Sequence, residues 1–212
     1  MADLDFFLDP ICPWAWITSR WVVEVQQQRQ YDVQWRFISL AVVNEHLVAD
    51  WYTAEYRRGH VAGLELLRVA DAVRVAFDND AVGRLYTAYG EALHVEGARD
   101  QVRNDTHAFV LEALRRAGIH RGFAEHRLDE SHDAHLRAET ALALARTGKD
   151  VGTPIITFHP GTEREASFFG PVIARIPRGD DATKLWDAIE VVATTSGMAE
   201  LKRSLREAPQ FS

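Results

Sequence analysis

Near its N-terminus the chain passes from a strand pattern to a helix pattern at a single cysteine, Cys12. Residues 4–8 form an almost continuously apolar run, as in a strand that is buried on both faces of a sheet. Pro13 suits the first position of a helix, where its missing N–H group leaves no hydrogen bond unmade. We therefore predict a buried strand over residues 4–8 and a helix from Pro13 to about Gln30.

This junction also predicts the chemistry of the cysteine. The first N–H groups of a helix have no partners within the helix, and together with the helix dipole they favour a thiolate over a thiol. We expect Cys12 to have a lowered pKa and a nucleophilic sulfur. The alternative is a buried cysteine that acts only as a small hydrophobic residue. Because the chain contains no second cysteine, an intramolecular disulfide is excluded.

Composition and charge narrow the class of protein. The 212 residues carry a net charge of −7 and form no basic stripe, which argues against nucleic acid as a partner. No apolar run reaches the length of a membrane span, and the residues before Leu4 do not resemble a secretory signal. With one cysteine and no export signal, we expect a cytoplasmic protein.

Two blocks of strand pattern enclose a long helical stretch. Residues 33–40 alternate apolar and polar side chains, as a half-buried strand does. Together with the first strand and helix they predict a right-handed β-α-β unit with parallel strands. Residues 155–158 and 166–169 predict a β-hairpin. A helix from Asp180 or Asp181 completes a β-β-α unit, and a last helix is expected to contain Met198, Leu201 and Leu205.

The stretch between the two units contains almost no strand pattern. Helical spacing and capping residues predict five helices there, over residues 53–77, 80–94, 105–117, 121–129 and 131–147. A β-α-β unit joined to a β-β-α unit is the thioredoxin architecture. The predicted fold class is therefore α/β, a thioredoxin-like domain of residues 1–43 and 149–212 with an inserted helical domain of residues 44–148.

One segment carries a specific resemblance. Phe7 to Arg20, with the core Asp-Pro-Ile-Cys-Pro-Trp-Ala-Trp-Ile, resembles the active-site segment of the DsbA-like, FrnE-type thioredoxin-fold proteins of actinobacteria, and among these the mycothiol-dependent reductases most. Three further stretches agree: Ser39-Leu40 through Asn44-Glu45, Val151-Gly152-Thr153-Pro154, and Phe168 to Pro171 followed by Ile176 to Gly179.

The resemblance implies a thiol-disulfide oxidoreductase that depends on a low-molecular-weight thiol, and it favours mycothiol over glutathione. It also implies a small electrophilic or disulfide substrate. The sequence leaves open whether the protein is a monomer or a homodimer. It gives catalytic roles to three adjacent residues: Cys12 as the nucleophile, Pro13 as the residue that sets its environment, and Trp14 as a wall of the cleft. Cofactor binding falls to residues that are distant in the sequence: Asn44, Thr153 and Pro154.

Two of these implied sites have simpler explanations. The resemblance implies a cis peptide bond between Thr153 and Pro154 that faces the nucleophile, and proline is the residue that makes such a bond accessible. A turn proline that opens a strand would account for the same pair. Asn44 is implied to lie near the thiol cofactor, although asparagine is also a favoured helix cap.

The chain departs from the family motif at Ala15, where the family has a second cysteine. A lone thiol cannot resolve a mixed disulfide from within the protein. We therefore expect a monothiol reaction in which an external thiol releases Cys12. The alternatives are a thiol-cofactor-dependent transferase or isomerase of the kappa/2-hydroxychromene-carboxylate isomerase type, and a noncatalytic binding protein.

Four histidines fall close together in the helical stretch: His120, His126, His132 and His135. The last two lie three residues apart, a spacing that can bind a metal ion. Because no cysteine or compact carboxylate cluster accompanies them, we expect no metal.

Overall fold

The computed structural model describes residues 2–211, and its centre is a four-stranded mixed sheet. The strands β1 (Leu4–Leu8), β2 (Val33–Phe37), β3 (Ile155–Phe158) and β4 (Ala166–Phe169) lie in the order β2-β1-β3-β4. Strand β1 pairs parallel to β2 and antiparallel to β3, and β3 forms an antiparallel hairpin with β4. The predicted β-α-β and β-β-α units are confirmed, and the mixed α/β architecture is consistent with a thioredoxin-like fold.

Helices surround this sheet. They are α1 (Pro13–Gln26), α2 (Leu40–Val43), α3 (Ala54–Ala76), α4 (Asn79–Gly90), a π-helical turn (Glu91–Val95), α5 (Arg99–Asn104), α6 (Thr106–Ala117), two 3-10 segments (Arg121–Leu128 and Glu130–His132), α7 (Asp133–Thr147) and α8 (Gly179–Thr194). Among residues 2–211, no helix combines the length and the apolar character that crossing a lipid bilayer requires.

Strand β1 is buried on both faces, as its continuous apolar run predicts. Phe6 packs with Trp35 and with the helices that follow β2, while Phe7 faces the opposite side and packs with Ala143 of α7. The larger hydrophobic core extends from the sheet into α3 and α4 without interruption. The division into residues 1–43 plus 149–212 and residues 44–148 stays a prediction, and the two parts share one core.

Several elements begin or end at residues other than those predicted. Helix α1 ends at Gln26 rather than Gln30, and β2 ends at Phe37 because Ser39 caps α2. The predicted helix over residues 121–129 is a 3-10 segment. Helix α7 begins at Asp133, two residues after its predicted start at residue 131.

The predicted helix after Gly197 is wrong. No regular structure is found among the described residues of this stretch. Leu201 and Leu205 are 73% and 87% exposed, so the apolar side of this pattern has no surface to pack against. An isolated short helix without such packing is not stable in water.

Trp16 anchors the active-site helix to the helical stretch. Its ring is buried against Gly90, where α4 passes into the π-helical turn, and it also contacts Tyr86 edge to face at 5.9 Å between ring centroids. A Cβ atom at residue 90 would overlap the Trp16 ring. The absence of a side chain at Gly90 is therefore required by this close packing.

We predict that Gly90→Ala lowers the free energy of unfolding by at least about 2 kcal/mol, because the added methyl group forces the Trp16 ring out of its packed position. Gly59→Ala is the matched control, since a Cβ at that helical position would meet only Arg103 Nε at 3.7 Å. It should stabilise the protein by up to about 1 kcal/mol through helix propensity. Urea unfolding of both variants measures the two changes, and equal effects of the two substitutions would contradict the packing argument.

Candidate active site

Cys12 lies where the sequence predicts it, between β1 and α1. It is the N-cap residue of α1, with extended backbone angles, and Pro13 occupies the first turn. The backbone N–H of Ala15 donates to Cys12 Sγ at 3.4 Å. The strand–cysteine–proline–helix junction is therefore confirmed.

The Thr153–Pro154 loop meets this junction from the other half of the fold. The peptide bond between the two residues is cis, as the resemblance implied. The Cys12 thiol donates to the Thr153 carbonyl oxygen at 3.4 Å, across 141 positions of the sequence. The Thr153 hydroxyl donates to Phe7 O at 2.9 Å, and Gly170 N donates to Pro154 O at 2.9 Å, so the loop is tied to β1 and to the end of β4.

The Thr153 backbone is the part of this loop that lies beside the thiol. In this conformation its carbonyl already accepts the Cys12 thiol. A partner that donates along the same lone pair of this carbonyl displaces the S–H hydrogen bond.

The predicted lowering of the Cys12 pKa is wrong for this conformation. Burial, which leaves 6% of the residue exposed, raises the pKa of Cys12 to about 12. The N–H groups of Ala15 and Trp14 lower that pKa, as a helix N-terminus should, but the charge of Asp9 raises it further. The free-energy cost of removing a thiolate from water exceeds the stabilisation that a few N–H groups provide. Cys12 is therefore a neutral thiol in this conformation.

Asp9 lies under the loop that carries the cysteine, and the sequence analysis gave it no role. Its two carboxylate oxygens accept hydrogen bonds from Leu40 N at 2.7 Å and Ile11 N at 3.1 Å. Complete burial raises the pKa of Asp9 to about 7 despite these two bonds. Helix α3 closes over it at Gly63, where a Cβ atom would lie 2.9 Å from the carboxylate. An acidic residue at the end of a buried strand was the signal in the sequence.

His94 holds the same loop from the π-helical turn. Its Nε2–H donates to Pro10 O at 2.9 Å, and because a carbonyl can only accept, Nε2 carries the proton. Arg99 donates to the other ring nitrogen at 3.4 Å, and the ring stacks on Trp16. Burial lowers the pKa of His94 to about 4, so the ring is neutral at pH 7. Sequence analysis missed His94 because 84 positions separate it from Pro10.

The remaining predicted residues lie around this centre. Pro13 and Trp14 are half-buried, whereas Trp16 and Trp21 belong to the core. Asn44 is the C-cap residue of α2, not an N-cap, and its side chain donates to Leu40 O at 2.8 Å. The N–H of Leu40, the first residue of α2, donates to Asp9 Oδ2. The role of Trp14 as a wall of the cleft and that of Asn44 in cofactor binding stay predictions.

Comparison with known proteins identifies two matches. A family model described as "Rv2466c-like: Mycothiol-dependent nitroreductase Rv2466c" matches residues 11–203, which include Cys12 and the Thr153–Pro154 loop. An uncharacterized protein of Mycobacterium tuberculosis (strain ATCC 25618 / H37Rv), Rv2286c, is 30% identical over 205 residues, which cover 96% of this chain and 82% of that protein.

The raised pKa of Asp9 predicts a pH-dependent stability. In the unfolded chain an aspartate titrates near pH 4, whereas the folded protein retains this proton until about pH 7. The stabilisation from the protonated carboxyl is complete below pH 4 and is lost as the pH rises through 7. Asp9→Asn cannot titrate and lacks this loss.

We therefore expect the stability of the wild type, relative to Asp9→Asn, to fall by about 1 to 3 kcal/mol between pH 5 and pH 8. Urea unfolding of both proteins at the two pH values measures this difference. His94 contributes with the opposite sign between about pH 4 and 6.5, but it is present in both proteins and cancels. Parallel pH profiles would show that Asp9 is ionised in the folded state throughout this range.

Proposed function

Because the chain belongs to the Rv2466c-like family of mycothiol-dependent nitroreductases, we propose that it is an oxidoreductase that uses mycothiol and acts through the single thiol of Cys12. The observation that carries this proposal is the position of Cys12 Sγ, at the N-terminus of α1 and 3.4 Å from the carbonyl before Pro154. We also propose that the protein belongs to the DsbA-like branch of the thioredoxin fold. We propose that it acts in the cytoplasm, where free mycothiol would serve as the second thiol.

The reaction follows from having one cysteine. Cys12, as a thiolate, attacks the mycothiol sulfur of a substrate that is joined to mycothiol by a disulfide, and a new disulfide forms as the old one breaks. The released substrate sulfur takes up a proton. A second molecule of mycothiol then attacks the Cys12-bound sulfur, so that the oxidised form of mycothiol leaves and Cys12 returns as a thiol. Two electrons have then passed to the substrate, and Ala15 takes no part.

Activation of Cys12 is the step that this conformation restrains. A partner that enters the cleft and pairs with the Thr153 carbonyl displaces the S–H hydrogen bond. Protonation of Asp9 removes the negative charge that raises the Cys12 pKa. Because the two groups are coupled, proton loss from Cys12 and proton gain by Asp9 favour each other. The pKa of Asp9, about 7, leaves a substantial fraction of this carboxyl protonated at neutral pH.

An aromatic surface on α3 supports a flat or apolar substrate. Gly63 packs on Asp9 and Ile11, and His60 and Tyr56 precede it by three and seven residues, a spacing that puts all three on one face of the helix. Tyr56 is 50% exposed and contacts Trp51, which is 61% exposed. We propose that this face, together with Trp14, lines the substrate cleft, with Asn44 and Thr153 on the cofactor side.

The raised pKa of Cys12 favours a second candidate function. A neutral thiol can donate a hydrogen bond, so Cys12 could stabilise the thiolate of a bound cofactor without attacking anything itself. The cofactor sulfur would then be the nucleophile, as in a thiol-dependent transferase or isomerase. In that case a serine, which also donates, would replace Cys12 with little loss.

Intact-mass measurement after exposure to the disulfide of mycothiol tests the monothiol proposal. We expect one mycothiol adduct per wild-type chain, removed by free mycothiol, because Cys12 is the only thiol. Ala15→Cys supplies the missing second thiol at a buried position next to Cys12 Sγ. That variant should release the adduct and lose the mass of two hydrogen atoms, since an internal disulfide replaces it.

Cys12→Ser is the control, and it should form no adduct and show no reductase turnover. Turnover that persists in Cys12→Ser, with no adduct on the wild type, would replace the oxidoreductase with the transferase or isomerase. If the wild type shows neither adduct nor turnover, both enzymatic proposals are overturned and the remaining interpretation is a noncatalytic binding protein.

A further inference from the structure

A second group of chemically active side chains lies in the two 3-10 segments that precede α7. His126 Nδ1, Asp129 Oδ2 and His132 Nε2 converge there. The two nitrogens are 3.2 Å apart, and the carboxylate oxygen lies 3.6 Å from His126 Nδ1 and 3.8 Å from His132 Nε2. A point equidistant from three atoms at these separations lies about 2.1 Å from each, which is the usual length of zinc–nitrogen and zinc–oxygen bonds.

The protonation of His132 suits it to bind a cation. Its other ring nitrogen, Nδ1, lies 2.8 Å from Asp71 Oδ2 on α3. A carboxylate can only accept, so the proton is on Nδ1 and the lone pair of Nε2 points into the cluster. A carboxylate behind a histidine ligand fixes the ring orientation and raises the basicity of the ligand.

Asp71 is itself held rigidly in this role. It is 2% exposed, and its other oxygen, Oδ1, accepts hydrogen bonds from Arg74 at 3.0 Å and His135 at 2.7 Å. Arg74 also reaches Glu139 on α7. The cluster is therefore supported by a buried network that joins α3 to α7, and not by exposed side chains alone.

The sequence argued against a metal because no carboxylates accompanied the histidines in a compact motif. Folding supplies them differently: Asp129 comes from the turn between the two 3-10 segments, and Asp71 comes from α3, 61 positions before His132. His126 and His132 lie three residues before and after Asp129, and the turn at Asp129 brings the three side chains together.

We propose that His126, Asp129 and His132 bind one divalent transition-metal ion, with zinc as the best fit to two imidazoles and one carboxylate. Water completes the coordination, since the side chains of His126 and Asp129 are 39% and 43% exposed. The ion ties the 3-10 segments to α3 through Asp71.

Calorimetric titration with Zn²⁺ tests this site, in buffer without thiols and in a Cys12→Ser background, because a thiol also binds zinc. We expect one ion per chain. His126→Ala should weaken binding by at least about tenfold, as loss of a ligand costs no less than loss of its supporting partner. His107→Ala is the control, since its side chain is equally exposed, at 39%, and lies outside the cluster; its affinity should stay unchanged.

Thermal unfolding gives an independent measurement of the same site. Zn²⁺ should raise the Tm of the Cys12→Ser protein in a concentration-dependent way, because an ion that binds only the folded state stabilises it. The rise should disappear in His126→Ala and persist in His107→Ala. An absence of saturable binding, or binding that is equally affected by the two substitutions, would overturn the proposal.

Discussion

The hydrogen bond from the Cys12 thiol to the Thr153 carbonyl is the contact on which the rest of the site depends. It exists because β1 pairs antiparallel with β3, so the end of one strand meets the start of the other. The Thr153 hydroxyl fixes this meeting by its bond to Phe7 O. The sheet, the cap of α1 and the proline loop thus serve to place one sulfur beside one carbonyl.

The environment of this sulfur is a balance between opposing effects. The N–H groups at the start of α1 stabilise a thiolate, while burial and the Asp9 charge favour a thiol, and the second pair is stronger. Asp9 is in turn poised near neutral pH by its own burial. His94, neutral and bonded to Pro10, keeps the loop between these groups in place. The site therefore keeps Cys12 as a neutral thiol in this conformation.

Local sequence patterns predicted the strands and helices whose formation depends mainly on neighbouring residues. The apolar run of β1, the proline at the start of α1 and the capping residues of the long helices define most of the sheet and helices correctly. The predicted terminal helix around Leu201 and Leu205 was wrong. The spacing of its apolar side chains is helical, but both leucines are exposed and pack against no surface among the described residues. Amphipathic spacing indicates which side chains a helix could bury, but not whether the fold provides a surface that buries them.

The site could be predicted only in part, for the same reason. Cys12 was predicted from its strand–helix junction and Thr153 from the family resemblance, and the structure brings them together. Desolvation depends on everything packed around a group, so the direction of the Cys12 pKa shift could not be read from the helix cap alone. The contributions of His94 and Asp71 come from residues more than 50 positions from their partners, and only the fold brings them together.

Direct titration of Cys12 tests the central claim, that folding keeps this sulfur neutral while its S–H group is bonded to the Thr153 carbonyl. The ultraviolet absorbance of a thiolate, taken as the difference between the wild type and Cys12→Ser, reports one group because the chain has one cysteine. The account predicts no thiolate signal in the free protein at neutral pH and a rise only in the strongly alkaline range. A pKa below that of a free cysteine, about 8.5, would contradict it.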